Sequence, residues 1–124
     1  MDYVGLAFLL GRILFGGYFV AAGIRHVLTE RAALTGYAEM KKVFAPNIAV
    51  IGSGVLLLVG GVGIIFWIYV QTAILTLLIF LIPVSFMMHA YWGESDPNMK
   101  MGDKVNFWKN MALAGALLIF LSIL

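Results

Sequence analysis

The chain contains no cysteine, which excludes disulfides, thiolate metal sites and thiol redox chemistry. Charge is scarce as well: 11% of its 124 residues are charged, against roughly 25% in an ordinary soluble domain. Only three prolines occur, so few helices can be interrupted by them. Between Asn47 and Tyr91 there is no Asp, Glu, Lys or Arg at all. What fills the space is apolar, 63% of the chain, and points to lipid as the solvent. At this length residues 1–124 are expected to form a single domain. The net charge of +2 is small and its positive members fall in two loops, which gives no face for nucleic acid.

The uncharged run of 45 residues from Asn47 to Tyr91 is too long for one crossing, because a helix rises about 1.5 Å per residue and the hydrocarbon layer is roughly 30 Å thick. It must fold back once, and Phe66-Trp67-Ile68-Tyr69, with aromatic side chains suited to the headgroup level, is the expected place. Spans of about 48–67 and 71–92 follow. Residues 3–24, apolar apart from Arg12, and 106–124, apolar after Lys109, complete an all-α integral membrane bundle of four transmembrane helices. A cleaved signal peptide fits the first segment poorly, since Asp2 stands where a positive region belongs and Arg12 interrupts the apolar stretch. The loop after the first span carries Arg25, Arg31, Lys41 and Lys42, and the one before the last carries Lys100 and Lys104. This bias predicts a multi-pass protein of the cell membrane with loops 25–47 and 93–105 in the cytoplasm. The first loop is expected to hold an amphipathic surface helix over about 30–45, capped by Thr29, ended by Pro46, and with Leu34, Tyr37, Met40 and Phe44 on one side.

At 100° per residue, Gly5, Arg12, Gly16 and Gly23 fall within about 40° of one another on the first helix. The second helix carries Gly52, Gly54, Gly60, Gly61 and Gly63. In lipid, helices associate by close backbone approach, so these small residues mark contact faces. Arg12 lies near mid-depth, where a charge costs at least about 2.5 kcal/mol unless paired or hydrated; it is either an anchor for an anionic or carbonyl-bearing ligand or a packing clamp. In the third helix Ser85, His89 and Trp92 share a face, and in the fourth Asn106, Lys109 and Asn110 do. With His26 at the end of the first helix, the groups His26, His89, Lys109 and Asn110 are expected to meet at one end of the bundle, with Arg12 deeper. For His26 and Lys109 the plainer alternative is that they reach for headgroups.

Haem between His26 and His89 is disfavoured, since both lie at helix ends and no C-x-x-C-H is present. A metal held by His89, Glu94 and Asp96 is possible by residue type, but acids beside a turn at Asp96-Pro97 are more commonly solvated. A pore is also weak, because four short helices leave little lumen.

The order H89-A-Y-W92, D96-P97 and F107-W-K109-N110-M-A-L-A-G115 resembles the last third of the DoxX family of small four-helix membrane proteins. The start, G11-R12-I-L-F-G16-G-Y-F-V-A-A-G23-I-R-H26, is similar to that family's first helix. Members of the family often carry an acid in the second helix near the position of Ser53; its absence here leaves Arg12 without that counter-charge, and Glu39 could substitute only if the surface helix dips inward. The resemblance implies the fold, and relatives linked to quinone-dependent sulfur oxidation or to oxidoreductase complexes imply redox work.

The expected function is therefore a membrane subunit of an oxidoreductase complex that binds a quinone or similar lipid-soluble carrier. Arg12, His26, His89, Trp92, Lys109 and Asn110 are its candidate binding residues, and a redox partner protein would supply electrons. The alternative is a non-catalytic membrane adaptor or assembly factor that holds a partner protein. A homo-oligomer is compatible with either.

Overall fold

The computed structural model describes residues 2–124. Helix α1 (Tyr3–Ile24) runs without a break into a π-helical turn (Arg25–Thr29) and is followed by α2 (Arg31–Met40), α3 (Pro46–Phe66), α4 (Val70–Met88), a 3₁₀ turn (Tyr91–Gly93) and α5 (Pro97–Ser122). Four of the helices are long and apolar enough to cross a membrane, and they form an all-α bundle in which α1 packs on α3, α3 on α4, and α4 on α5, each pair antiparallel. The short α2 lies against α3 at the end that carries the basic loops. That end is called the basic end below; the opposite one, with the Trp67–Tyr69 turn, is the aromatic end.

Backbone proximity holds α1 to α3. A Cβ added to Gly16 would stand 2.7 Å from the Gly61 carbonyl oxygen, one on Gly61 would stand 2.8 Å from that of Gly16, and one on Gly23 would stand 2.9 Å from that of Gly54. No real side chain fits there. Gly60 and Gly63 make room in the same way for Leu77 and Ala73 of α4. The small-residue faces are thus where the helices meet, except at Gly52, around which an added Cβ would find nothing within 4 Å. Between these seams Phe19, Leu57, Ile64, Ile74, Leu77, Leu81 and Leu117 are almost fully enclosed.

Several boundaries differ from the sequence expectation. Thr29 does not cap α2, because α1 keeps coiling through Thr29 and the Glu30 N–H donates to the Arg25 carbonyl at 2.9 Å. Pro46 does not end the surface helix either. That helix stops at Met40, Lys42 (φ 62°) and Ala45 (φ 47°) reverse the chain in left-handed backbone, and Pro46 occupies the first turn of α3, where its missing N–H costs nothing. Of the four residues expected on one side of the surface helix, Leu34 and Tyr37 turn inward to the bundle while Met40 and Phe44 remain exposed. The turn at Trp67–Tyr69 is where expected, with both aromatic residues in left-handed backbone.

The largest difference concerns the last two spans. Helix α4 ends at Met88, four residues before the expected limit, so Trp92 leaves the face it was expected to share with Ser85 and His89. Helix α5 starts at Pro97, nine residues before the expected 106. The Asp96 side chain accepts from the Asn98 N–H at 3.0 Å, and Pro97 sets the first helical φ. Residues 97–105 are therefore helix, and Asp103 is carried on it.

Replacing Gly61 with Ala is expected to lower stability in detergent by about 1–3 kcal/mol, through overpacking against α1, while Gly115→Ala, where an added Cβ meets nothing within 4 Å, leaves it unchanged. Unfolding midpoints of the two variants check this.

Candidate functional site

The early start of α5 places Asp103 in its second turn, 2% exposed and facing the basic-end elements. Its Oδ2 accepts from Lys41 Nζ at 2.6 Å and its Oδ1 from the Tyr37 hydroxyl at 3.0 Å. The His89 Nδ1 lies 3.4 Å from Oδ1, and because a carboxylate only accepts, Nδ1 is the protonated ring nitrogen in that contact. Lys41 also reaches Glu94 Oε2 at 3.5 Å. Tyr37 and Lys41 are one helical turn apart on α2, so both present to the same carboxylate. His89 is the residue at which α4 ends, its backbone N–H still bonded to the Ser85 carbonyl. One carboxylate thus joins α2, α4 and α5.

Electrostatics follow from this geometry. Burial, and then the hydrogen bond donated to Asp103, push the Tyr37 hydroxyl above its ordinary pKa. Burial works against the Lys41 ammonium, but the hydrogen bond to Asp103 and the charges around it outweigh that, and Lys41 is held above its ordinary value.

Tyr37 has a second neighbour. Between α2, α3 and α4 lies a cavity of about 360 Å³. Its polar side chains are His26, Tyr37 and Ser53, and Leu34, Leu56, Phe80 and Met87 are among its apolar walls. His26 Nδ1 donates to the Ala22 carbonyl at 2.8 Å, since a carbonyl can only accept, which leaves Nε2 as the free ring nitrogen. The ring stands edge-on to Phe80 with centroids 5.9 Å apart. Ser53 donates to the Val50 carbonyl at 3.0 Å and keeps its lone pairs. Two residues keep the space open by what they lack. Gly52, in the wall, has no side chain to fill it. Pro83, also in the wall, has no N–H and so cannot donate to the carbonyl of Ile79 as a helical residue would.

The six expected site residues do not converge. His26 lines the cavity, and His89 belongs to the Asp103 cluster beside it. Trp92 packs on Phe86, Tyr91 and Phe107 and is half exposed. Lys109 bonds Asn106 at 3.3 Å and sits over the Tyr18 ring, 5.6 Å from its centroid, well along α5 because that helix begins so early. Asn110 is buried in α5. Arg12 lines a separate cavity near the aromatic end with Phe8 and Trp67. Glu39 stays exposed on α2 and does not reach it. Glu94 and His89 are taken up by Lys41 and Asp103, and Asp96 caps α5; among the described residues no group of acids and histidines is arranged to hold a metal.

Asp103, Tyr37 and Lys41 were not among the expected site residues. A signal existed: the buried residues of α5 are Asp103, Phe107, Asn110, Ala114 and Leu117, steps of four and three that mark one helical face. Extending that face back from Phe107 reaches Asp103, and Asp96-Pro97 is a start signal for the helix that carries it.

With this geometry in hand, the DoxX family model matches residues 7–90. The chain belongs to the DoxX family. The match takes in Arg12, His26, Tyr37, Lys41 and His89 of this DoxX protein, and it stops before α5, so Asp103 lies outside it. No curated protein and no solved structure matches the chain.

Removing the hub should be costly. Asp103→Ala leaves the Lys41 ammonium, 14% exposed, with only the longer Glu94 contact and is expected to destabilise the bundle by about 3 kcal/mol, whereas joint replacement by Asp103→Leu and Lys41→Met recovers most of the loss; a double-mutant cycle on unfolding midpoints measures both. Tyr37 and Lys41 hold their protons more tightly folded than unfolded. Their contribution is therefore complete below about pH 10, their unfolded range, and is lost as pH rises through the folded values. Unfolding temperature should fall above that pH in the wild type, and fall less in the Leu–Met double variant.

Proposed function

We propose that this DoxX protein is the membrane subunit of an oxidoreductase complex, placed in the cell membrane with residues 25–47 and 93–105 on the cytoplasmic side, and that it binds a quinone or similar lipid-soluble carrier in the cavity between α2, α3 and α4. One observation supports this above others: Tyr37 is at once a wall of the cavity and a donor to Asp103. The cavity volume of about 360 Å³ falls in the range of small-molecule sites, about 300–1,000 Å³, and its apolar walls suit a flat ring, while Tyr37, Ser53 and the neutral His26, whose protons are engaged elsewhere, accept from the hydroxyls of its quinol form.

A bound quinol would supply two protons and two electrons on becoming a quinone. Tyr37 can take a proton at its oxygen from the cavity as it passes its own to Asp103 Oδ1, and the adjoining His89 and Lys41 stabilise the charge that the carboxylate carries between transfers. His26, neutral and protonated on Nδ1, offers Nε2 as an acceptor for a hydroxyl; protonated on both nitrogens it donates to a carbonyl. With no cysteine in the chain, electrons must pass to a redox centre on a partner protein.

An adaptor that holds a partner protein is the second reading, favoured by Phe44, which is 92% exposed, and by Met40, at 57%. Native mass spectrometry of the protein released in mild detergent from its own membranes separates the two. The carrier function predicts a retained carrier mass that is lost in Gly52→Leu, which fills the cavity from an open wall position, and, for the quinol, whose hydroxyl donates to the Tyr37 oxygen, reduced about tenfold in Tyr37→Phe, the worth of one hydrogen bond. Equal retention in both variants, or a bare bundle whose protein partners are lost on Phe44→Ser, would favour the adaptor.

A further inference from the structure

Arg12 stands apart from everything above. It lies nine residues into α1, about 13 Å along the axis, and its side chain leans back toward the helix N-terminus, the aromatic end. The Nε is sealed from solvent and has no hydrogen-bond partner, and among the described residues the guanidinium makes no ion pair. No acid of the chain is placed to neutralise it: Asp2 caps α1 by accepting from the Gly5 N–H at 2.7 Å, and Glu30, Glu39, Glu94, Asp96 and Asp103 all belong to the basic end. A permanent charge at this depth without a counter-charge is costly, and an anion or strong acceptor from outside the chain would lower that cost.

The surroundings narrow its chemistry. Arg12 lines a cavity of about 180 Å³ with Phe8, Gly11, Ile64, Trp67 and Phe120. The guanidinium carbon sits 5.2 Å from the Phe8 ring centroid, and Phe8 is itself fixed edge-on against Trp67 at 4.6 Å. The platform is held in place by these rings, yet it opens sideways. Gly11 is exposed and a Cβ added there would meet nothing within 4 Å, while Leu10 and Leu14 beside it are 50% and 74% exposed. A guanidinium fork matches phosphate bidentately, and the apolar, outward-facing wall leading to it suits an acyl chain.

We propose that Arg12, Gly11 and Phe8 form a second binding site, separate from the carrier cavity, for the phosphate of a phospholipid from the leaflet at the aromatic end, its chain lying over Gly11. The site shares no residue with the cavity at His26 and Tyr37.

The test is reconstitution of the purified chain in phosphatidylcholine nanodiscs containing a minor fraction of phosphatidylglycerol, followed by native mass spectrometry of the released protein. The wild type is expected to retain phosphatidylglycerol above its bulk share. Arg12→Gln should lower that retention about tenfold or more, the loss of a charge-assisted pair. Gly11→Leu should do the same by filling the groove, with an unfolding temperature no lower than wild type, which keeps the test decisive even if Arg12→Gln folds poorly. Retention equal to wild type in Gly11→Leu and in folded Arg12→Gln overturns the site. Displacement of the lipid by excess inorganic phosphate would mean that free phosphate is the ligand, and overturns the lipid assignment.

Discussion

A carboxylate buried among helices must be neutralised by groups on other segments, and Asp103 meets that requirement with Tyr37 of α2, Lys41 at its end and His89 at the end of α4. The position of the short α2 depends on it. An amphipathic helix of ten residues is marginal alone and needs tertiary contacts to stay in one place. Asp103 anchors it from one side, while Ala38, buried against the bundle, packs it from the other. With α2 so placed, the gap between α3 and α4 gains a third wall, and the Tyr37 side chain is part of it.

The bundle beneath follows a different rule. With lipid on the outside, apolar side chains gain little from leaving it, and the helices come together by the close packing that glycine permits. Gly16 on Gly61 and Gly23 on Gly54 bring α1 and α3 almost into backbone contact, which leaves no room for a cavity along that seam. The cavity at the basic end opens where this packing relaxes, at Gly52 and Ser53 of α3 opposite Pro83 of α4. The division has a functional consequence. A rigid glycine seam forms one half of the molecule, and the half that carries titratable groups is built around one carboxylate.

The two ends are also electrostatically unlike. At the basic end, opposite charges meet within the chain, as Asp103 and Glu94 do with Lys41. At the aromatic end Arg12 has apolar and aromatic residues around it. The first arrangement completes itself within the chain; in the second the charge is left without a partner from the described residues.

Much of the fold was legible from residues alone. The uncharged stretch from Asn47 to Tyr91 required two spans, and the glycine positions at 54, 60, 61 and 63 marked the seams, because lipid and backbone geometry act on each segment separately. The site was legible only in fragments. His89 as an intramembrane titratable group and His26 at the end of the first helix are legible, but Lys109, Asn110 and Trp92 are drawn in with them because hydropathy alone sets the limits of α4 and α5. Asp103 was passed over because a window that counts charges places the start of a helix after the last of them, whereas the Asp96 cap and Pro97 start it before them.

The sequence by itself determined the solvent, the number of crossings, the antiparallel order and the faces on which helices touch, since each depends on local hydrophobicity and on residue size at helical spacing. Only the tertiary structure decided that Asp103, 66 residues from Tyr37 and 62 from Lys41, is their common partner, and that Arg12 and His26, on the same helix, serve different cavities. Such pairings depend on where helix ends fall and how α2 docks, and a charge has no sequence pattern that names its partner across that distance.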